Sequence, residues 1–118
     1  MDVNAVLKEM ESHPRINEAG MILVHLGRVR AFDLEGRAVT GLHLAHDHNR
    51  AEAIRAEFLD RPGVVEILIR LNSGHLSLGD PIMIAAVAGQ TRQQVFPVLE
   101  ELVDRLKKEA VRKKEDLV

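Results

Sequence analysis

The sequence contains no cysteine, tryptophan or tyrosine, and its only aromatic residues apart from histidine are Phe32, Phe58 and Phe96. Without a thiol there can be no disulfide framework, thiolate nucleophile, zinc finger or iron–sulfur site. Three aromatic rings are too few to make base-stacking platforms for single-stranded nucleic acid. No apolar run approaches the roughly 20 residues that cross a bilayer, and the start MDVNAVLKEM lacks the basic-then-apolar layout of a signal peptide. A soluble, unprocessed, cytoplasmic protein is the expectation, with no membrane contact.

What is present is enough to fold. Of 118 residues, 46% are hydrophobic and 29% charged, the balance of a globular chain, and the length suits one domain spanning residues 1–118. The formal charge of −2 excludes a globally basic nucleic-acid binder. It also hides an asymmetry: Arg105, Lys107, Lys108, Arg112, Lys113 and Lys114 stand against Glu109 alone, so this segment carries +5 and the remainder −7.

Apolar spacing predicts a first helix from Asp2 to Glu11 with Asp2 as N-cap. The run Gly20–Val29 (GMILVHLGRV) reads as a strand buried on both faces. Arg28 and Arg30, which flank Val29, then project together to the side opposite it. A second strand is expected over Arg37–His46 with a break at Gly41, and a second helix over Arg50–Leu59, stopped by Arg61-Pro62-Gly63. Val64–Leu71 and Pro81–Val87 read as strands joined by a loop with tight turns at its two glycines, Gly74 and Gly79. The stripe Val95, Leu99, Leu102, Val103 and Leu106 marks a long last helix over Thr91–Lys108, which Pro97 should delay or kink. The order is that of an α+β domain with a mixed or antiparallel sheet. No glycine-rich phosphate fingerprint, Ser-His-Asp pattern, HExxH or GxSxG occurs.

Candidate chemistry rests on cations and imidazoles. Lysines and arginines at the end of a helix complement its dipole. They can equally close over an anionic ligand, with Arg28, Arg30 and Arg92 supplying planar forks for phosphate. His43, His46 and His48 are close enough to suggest a metal site, although polar residues leading into a helix capped by Asp47 or Asn49 explain them as well. His25, inside an apolar strand, reads as a hydrogen-bonded core or interface residue.

Gly27-Arg28-Val29-Arg30 after an apolar strand, Leu42-His43-Leu44-Ala45-His46 before a helix, Gly74-His75-Leu76-Ser77-Leu78-Gly79-Asp80 before a strand, Arg92 opening the long helix, and Leu106-Lys107 followed by Lys113-Lys114-Glu115 form a recognisable series. Together, from about Gly20 to Glu115, they resemble the catalytic (large) subunit of molybdopterin synthase. The resemblance implies an α/β hammerhead-type subunit that forms a homodimer within a heterotetramer. Each end would bind a small ubiquitin-like sulfur carrier whose C-terminal Gly-Gly thiocarboxylate delivers sulfur to cyclic pyranopterin monophosphate, making the dithiolene. No cofactor of the subunit's own is implied. Carried over by position, Lys107 is the principal catalytic lysine and Lys113 or Lys114 the second. Arg30 and Arg92 hold phosphate or the carrier tail, Arg28 and Val29 line the mouth, and Thr91 and Glu115 join the substrate-binding set. The chain departs from the family pattern in having Thr91-Arg92 for His-Arg, Asn72-Ser73 for a basic residue before the turn glycine, and Ala110-Val111-Arg112 for Pro-x-Trp. A non-catalytic carrier-binding or regulatory module is the alternative.

Overall fold

A computed structural model describes residues 1–118. Helix α1 (Val3–Glu11) and a short 3-10 turn (Ile16–Glu18) precede β1 (Met21–Arg28), β2 (Val39–His46), α2 (His48–Leu59), β3 (Val64–Leu71), β4 (Gly74–Ser77), β5 (Pro81–Gly89), α3 (Arg92–Glu109) and β6 (Val111–Leu117). The strands form two three-stranded sheets, β1-β5-β3 and β4-β2-β6, and every pairing is antiparallel.

Strand β5 lies at the centre of the first sheet, and its period-2 alternation sorts its side chains between two cores. Met83, Ala85 and Val87 face α2 and α3, joining Ile54, Phe58, Val95, Leu102 and Leu106. Ile84, Ala86 and Ala88 face α1, joining Val6 and Met10. The small alanines let helices approach both faces of one strand. A third cluster of Val29, Leu42, Leu44 and Leu76, with Ile82 and Val111 against it, joins the two sheets.

Each helix begins where a side chain satisfies an orphan backbone N–H. Asp2 accepts from the Asn4 N–H at 2.9 Å, Asp47 from Arg50 at 3.0 Å, and Thr91 Oγ1 from Gln94 at 3.4 Å. Helix α3 starts at Arg92 and continues through Pro97, so the expected late start does not occur. Pro97 is exposed, where water can reach the carbonyl that lost its donor.

Two further expectations are corrected. Strand β1 is half-buried along most of its length, because it is an edge strand covered only in part by α1 and α3. The segments read as an unstructured loop after Leu71 and as a helix-end tail after Glu109 instead contribute β4 and β6, the two edges of the second sheet. The break foreseen at Gly41 is real: the β2–β6 register shifts between Val39 and Gly41, and a Cβ at Gly41 would meet the Leu76 carbonyl oxygen at 2.6 Å.

Candidate functional site

A cavity of about 380 Å³ opens where the end of β1, the start of β5, the last turn of α3 and β6 meet. Its apolar surface is Ile82, Met83 and Val111 with Leu34 at the side, and its polar surface is Arg28, Arg30, Lys107 and Lys113. Four cations and no carboxylate line it.

Each of these side chains arrives by a local rule. Strict alternation would send Gly27 and Arg28 to opposite faces of β1. The register shift between them, opposite Met83 and Pro81, brings both to the cavity. Val29 is 3% exposed and sits in the inter-sheet cluster, outside the cavity lining, while its N–H donates to the Asp80 carbonyl and its own carbonyl accepts from Gly79. That anchor turns Arg28 and Arg30 together to the opposite side. Gly79 has φ of +84°, and a Cβ there would come within 2.9 Å of Arg28 Nη2, so the turn leaves room for the guanidinium.

Lys107 follows the fully buried Leu106 in the last turn of α3. On β6, alternation separates the two consecutive lysines. Lys113, opposite Leu44, lines the cavity; Lys114, opposite His43, lies on the other face of the sheet in a separate groove with Arg112. Glu115 is near Lys113, with Oε1 4.0 Å from its Nζ.

Three of these cations differ from most of the chain's other arginines, while Lys113 has the Glu115 carboxylate at 4.0 Å. Arg15, Arg37, Arg50, Arg55, Arg61, Arg70 and Arg105 all pair with carboxylates. Arg28, Arg30 and Lys107 have no such partner, which leaves positive potential available to an incoming anion. A larger groove of about 490 Å³ beside α1 lacks this property, because its Arg70 is paired with Glu9 at 2.6 Å.

His25 lies beneath the cavity wall. Its Nε2 is buried and has no hydrogen-bond partner, in contrast to the hydrogen-bonded histidine expected there. A Cβ at Gly27 would lie 3.3 Å from this nitrogen. Burial, and secondarily the positive charge of Lys107, holds its pKa below the ordinary value of 6.5, which disfavours the protonated ring.

Thr91 and Arg92 are elsewhere. Thr91 caps α3, and Arg92 starts it at the Gly89 end of β5, about 22 Å along the helix from Lys107 at 1.5 Å per residue. Within one chain they do not join the cavity. The three histidines weighed as a metal site beside the helix-cap reading do not assemble: His46 Nδ1 contacts the Asn72 carbonyl at 3.0 Å and His48 opens α2, while His43 meets His75 and Asp116. Leu34, Ile82, Met83 and Val111, the apolar part of the site, carried no chemical signal in the sequence.

The family model of the MoaE protein matches residues 1–109. The chain belongs to the MoaE family. A molybdopterin synthase catalytic subunit from Pyrococcus abyssi is 31% identical over 95 residues, covering 78% of this chain and 64% of that relative. One from Vibrio cholerae is 29% identical over 110 residues, covering 90% of this chain and 73% of the relative. This chain therefore spans just under two thirds of the length of the first and somewhat more of the second. Among solved structures, the molybdopterin biosynthesis MoaE protein of Burkholderia ambifaria superposes with a TM-score of 0.79 at 28% identity, covering all of this chain and 82% of its own. A protein–protein complex of subunits 1 and 2 of the molybdopterin-converting factor from Helicobacter pylori shares the fold, with a TM-score of 0.74 at 20% identity over 98% of this chain and 78% of that one. The family match stops at residue 109, so the position of Lys113 on β6 rests on the structure.

Proposed function

We infer that this member of the MoaE family is the catalytic subunit of a molybdopterin synthase, acting in the cytoplasm as one unit over residues 1–118. It transfers sulfur from a thiocarboxylated carrier protein to cyclic pyranopterin monophosphate. The carrier is a small ubiquitin-like subunit ending in Gly-Gly, and the assembly is a homodimer carrying one carrier at each end.

The observation that carries this reading is the cavity lined by four cations, three of them without a carboxylate partner, and an apolar floor. A phosphorylated, planar pterin needs both: guanidinium forks for phosphate and flat apolar contact for the ring system. The thiocarboxylate tail is a second anion that the same cations attract. For each sulfur delivered, a carbon–sulfur bond forms on the pterin as a carbon–oxygen bond at the same carbon breaks, its oxygen leaving protonated or with the opened phosphate ester, and the acyl–sulfur bond of the carrier breaks with water supplying the carboxylate oxygen. Arg28 and Arg30 at the mouth serve to bind and orient phosphate or tail. Lys107 and Lys113 face the reacting groups, where an ammonium stabilises developing negative charge and donates a proton to a leaving group. Sulfur must arrive on the partner, because this chain has no cysteine to carry it.

The test is reconstitution with purified thiocarboxylated carrier and cyclic pyranopterin monophosphate, followed by dithiolene formation. Product is expected, and Lys107→Ala should reduce turnover by about 100-fold or more, the scale of a lost proton-transfer group. The exposed lysine contributes little to folding, so the variant should melt like the parent. Absence of product where an authentic synthase works, with carrier binding retained, would establish the non-catalytic reading instead.

A further inference from the structure

The outer face of the second sheet carries a cluster that the sulfur-transfer reading does not use. His43 on β2 and His75 on β4 are directly cross-strand neighbours, and Asp116 on β6 approaches both from the other side. Asp116 Oδ2 is 3.2 Å from His75 Nε2 and 3.5 Å from His43 Nε2. The imidazole centroids are 4.6 Å apart, and one ligand-type atom from each of the three residues lies within 4.8 Å of the others.

We propose that His43, His75 and Asp116 form a binding site for a divalent transition metal of the zinc type. Metal–nitrogen and metal–oxygen bonds of about 2.0–2.1 Å in a tetrahedron place ligand atoms about 3.3 Å apart. The two histidine–aspartate separations already match that edge. The remaining histidine–histidine edge closes by rotation of two exposed rings, with no backbone shift. Two imidazoles with one carboxylate suit zinc, nickel or copper better than magnesium or calcium, which favour all-oxygen shells. The half-exposed position leaves the remaining coordination places to water. Lys114, cross-strand to His43, and Arg112 are the nearest cations on this face, and both side chains are exposed and long enough to swing into solvent.

The ligands come one from each strand of the sheet, so the metal would act as a cross-strand staple. It would tie the four-residue β4 and the C-terminal β6 to β2. Because β6 also carries Lys113 on its other face, the staple would hold that lysine's strand against the cavity.

Titration of the full, chelator-treated chain with Zn²⁺ should give one site per chain and a raised melting temperature. Co²⁺ should show the intense visible absorption of a tetrahedral centre. His75→Gln and Asp116→Asn should each weaken Zn²⁺ binding at least about 10-fold, since even outer-shell partners of a metal contribute that much, while His48→Ala leaves it unchanged. His43→Gln repeats the test through the third ligand if either variant fails to fold. No stoichiometric binding, or binding that survives loss of His75 and of Asp116, would overturn the proposal.

Discussion

Lys113 and Lys114 are adjacent in sequence and separated by the sheet in space. In the resemblance, aligning the Lys-Lys-Glu run makes Lys113 the second lysine, and keeping the spacing from Lys107 makes it Lys114. Their cross-strand partners differ: Leu44 belongs to the inter-sheet core and His43 to the outer face. Lys113→Ala should therefore lower kcat/KM for dithiolene formation at least about tenfold, or 1.4 kcal/mol of transition-state stabilisation, and Lys114→Ala should change it less than about twofold. The same scale holds the energetics of His25. A buried ring nitrogen without a partner costs about 1 kcal/mol or more relative to a satisfied one. Its folded-state pKa lies below 6.5, so near that pH the unfolded chain binds more protons, and stability falls as pH drops through 6.5 and below. His25→Phe should melt higher than the parent at pH 5.5, with the difference shrinking by pH 8, and thermal melts at the two pH values check this.

At the scale of elements, α3 is held at its functional end by an ionic tie to α2. Glu109 accepts from Arg105 one turn earlier and from Arg50 on α2, and Arg105 also donates to Glu57 at 3.0 Å. These bonds, that of Arg105 first, push the Glu109 pKa down to about 2 from an ordinary 4.5. The unfolded chain takes up this proton near pH 4.5 and the folded one near 2. The stabilisation is therefore present above 4.5 and is lost as pH falls toward 2. Glu109→Gln should flatten the acid limb of the stability profile between those values, as measured by denaturant unfolding. The tie also changes how the basic C-terminal segment reads: Arg105 is spent on Glu57 and Glu109, and of the remaining cations only Lys107 and Lys113 reach the cavity.

Element by element, legibility followed the core. Helix α3 announced itself through its apolar stripe, and β3 and β5 through continuous apolar runs, because their burial is written in residue type. Strand β6 (VRKKEDL) gave no such signal. Its inward positions include Lys113, which lines a cavity in place of a packed core, and the neighbouring Glu115, so the period-2 pattern is absent where the strand is most important. Strand β4 was hidden for a different reason: four residues that start on one positive-φ glycine, Gly74, and end two positions before another, Gly79, look like a turn.

Over the whole molecule, which measures 48 × 25 × 25 Å, the four cations of the cavity are gathered at one end of α3 and Arg92 stands at the other. A net charge of −2 thus coexists with a local positive field. Inorganic pyrophosphate should raise the melting temperature of the protein at low ionic strength. The effect should fade between 0.1 M and 1 M salt, where the screening length falls from about 10 Å to about 3 Å. Arg30→Ala should reduce this shift. Arg61→Ala, whose guanidinium is already paired with Glu101 at 2.6 Å, should not.

Composition and local pattern were enough to establish that the chain is thiol-free, that sulfur in any transfer it performs must come from a partner, that the domain is α+β with a mixed or antiparallel sheet, and that Arg28 and Arg30 share a side. Those conclusions depend on composition and on neighbours along the chain, whose relative directions follow from backbone periodicity. Only the tertiary structure decided that Lys107 and Lys113 face Arg28 and Arg30, that Lys114 and Arg92 do not, and that His43 meets His75 and Asp116 and not His46 and His48. Each depends on strand register and on which ends of β1, β5, α3 and β6 coincide, and residues dozens of positions apart converge only when packing of the shared core fixes those registers.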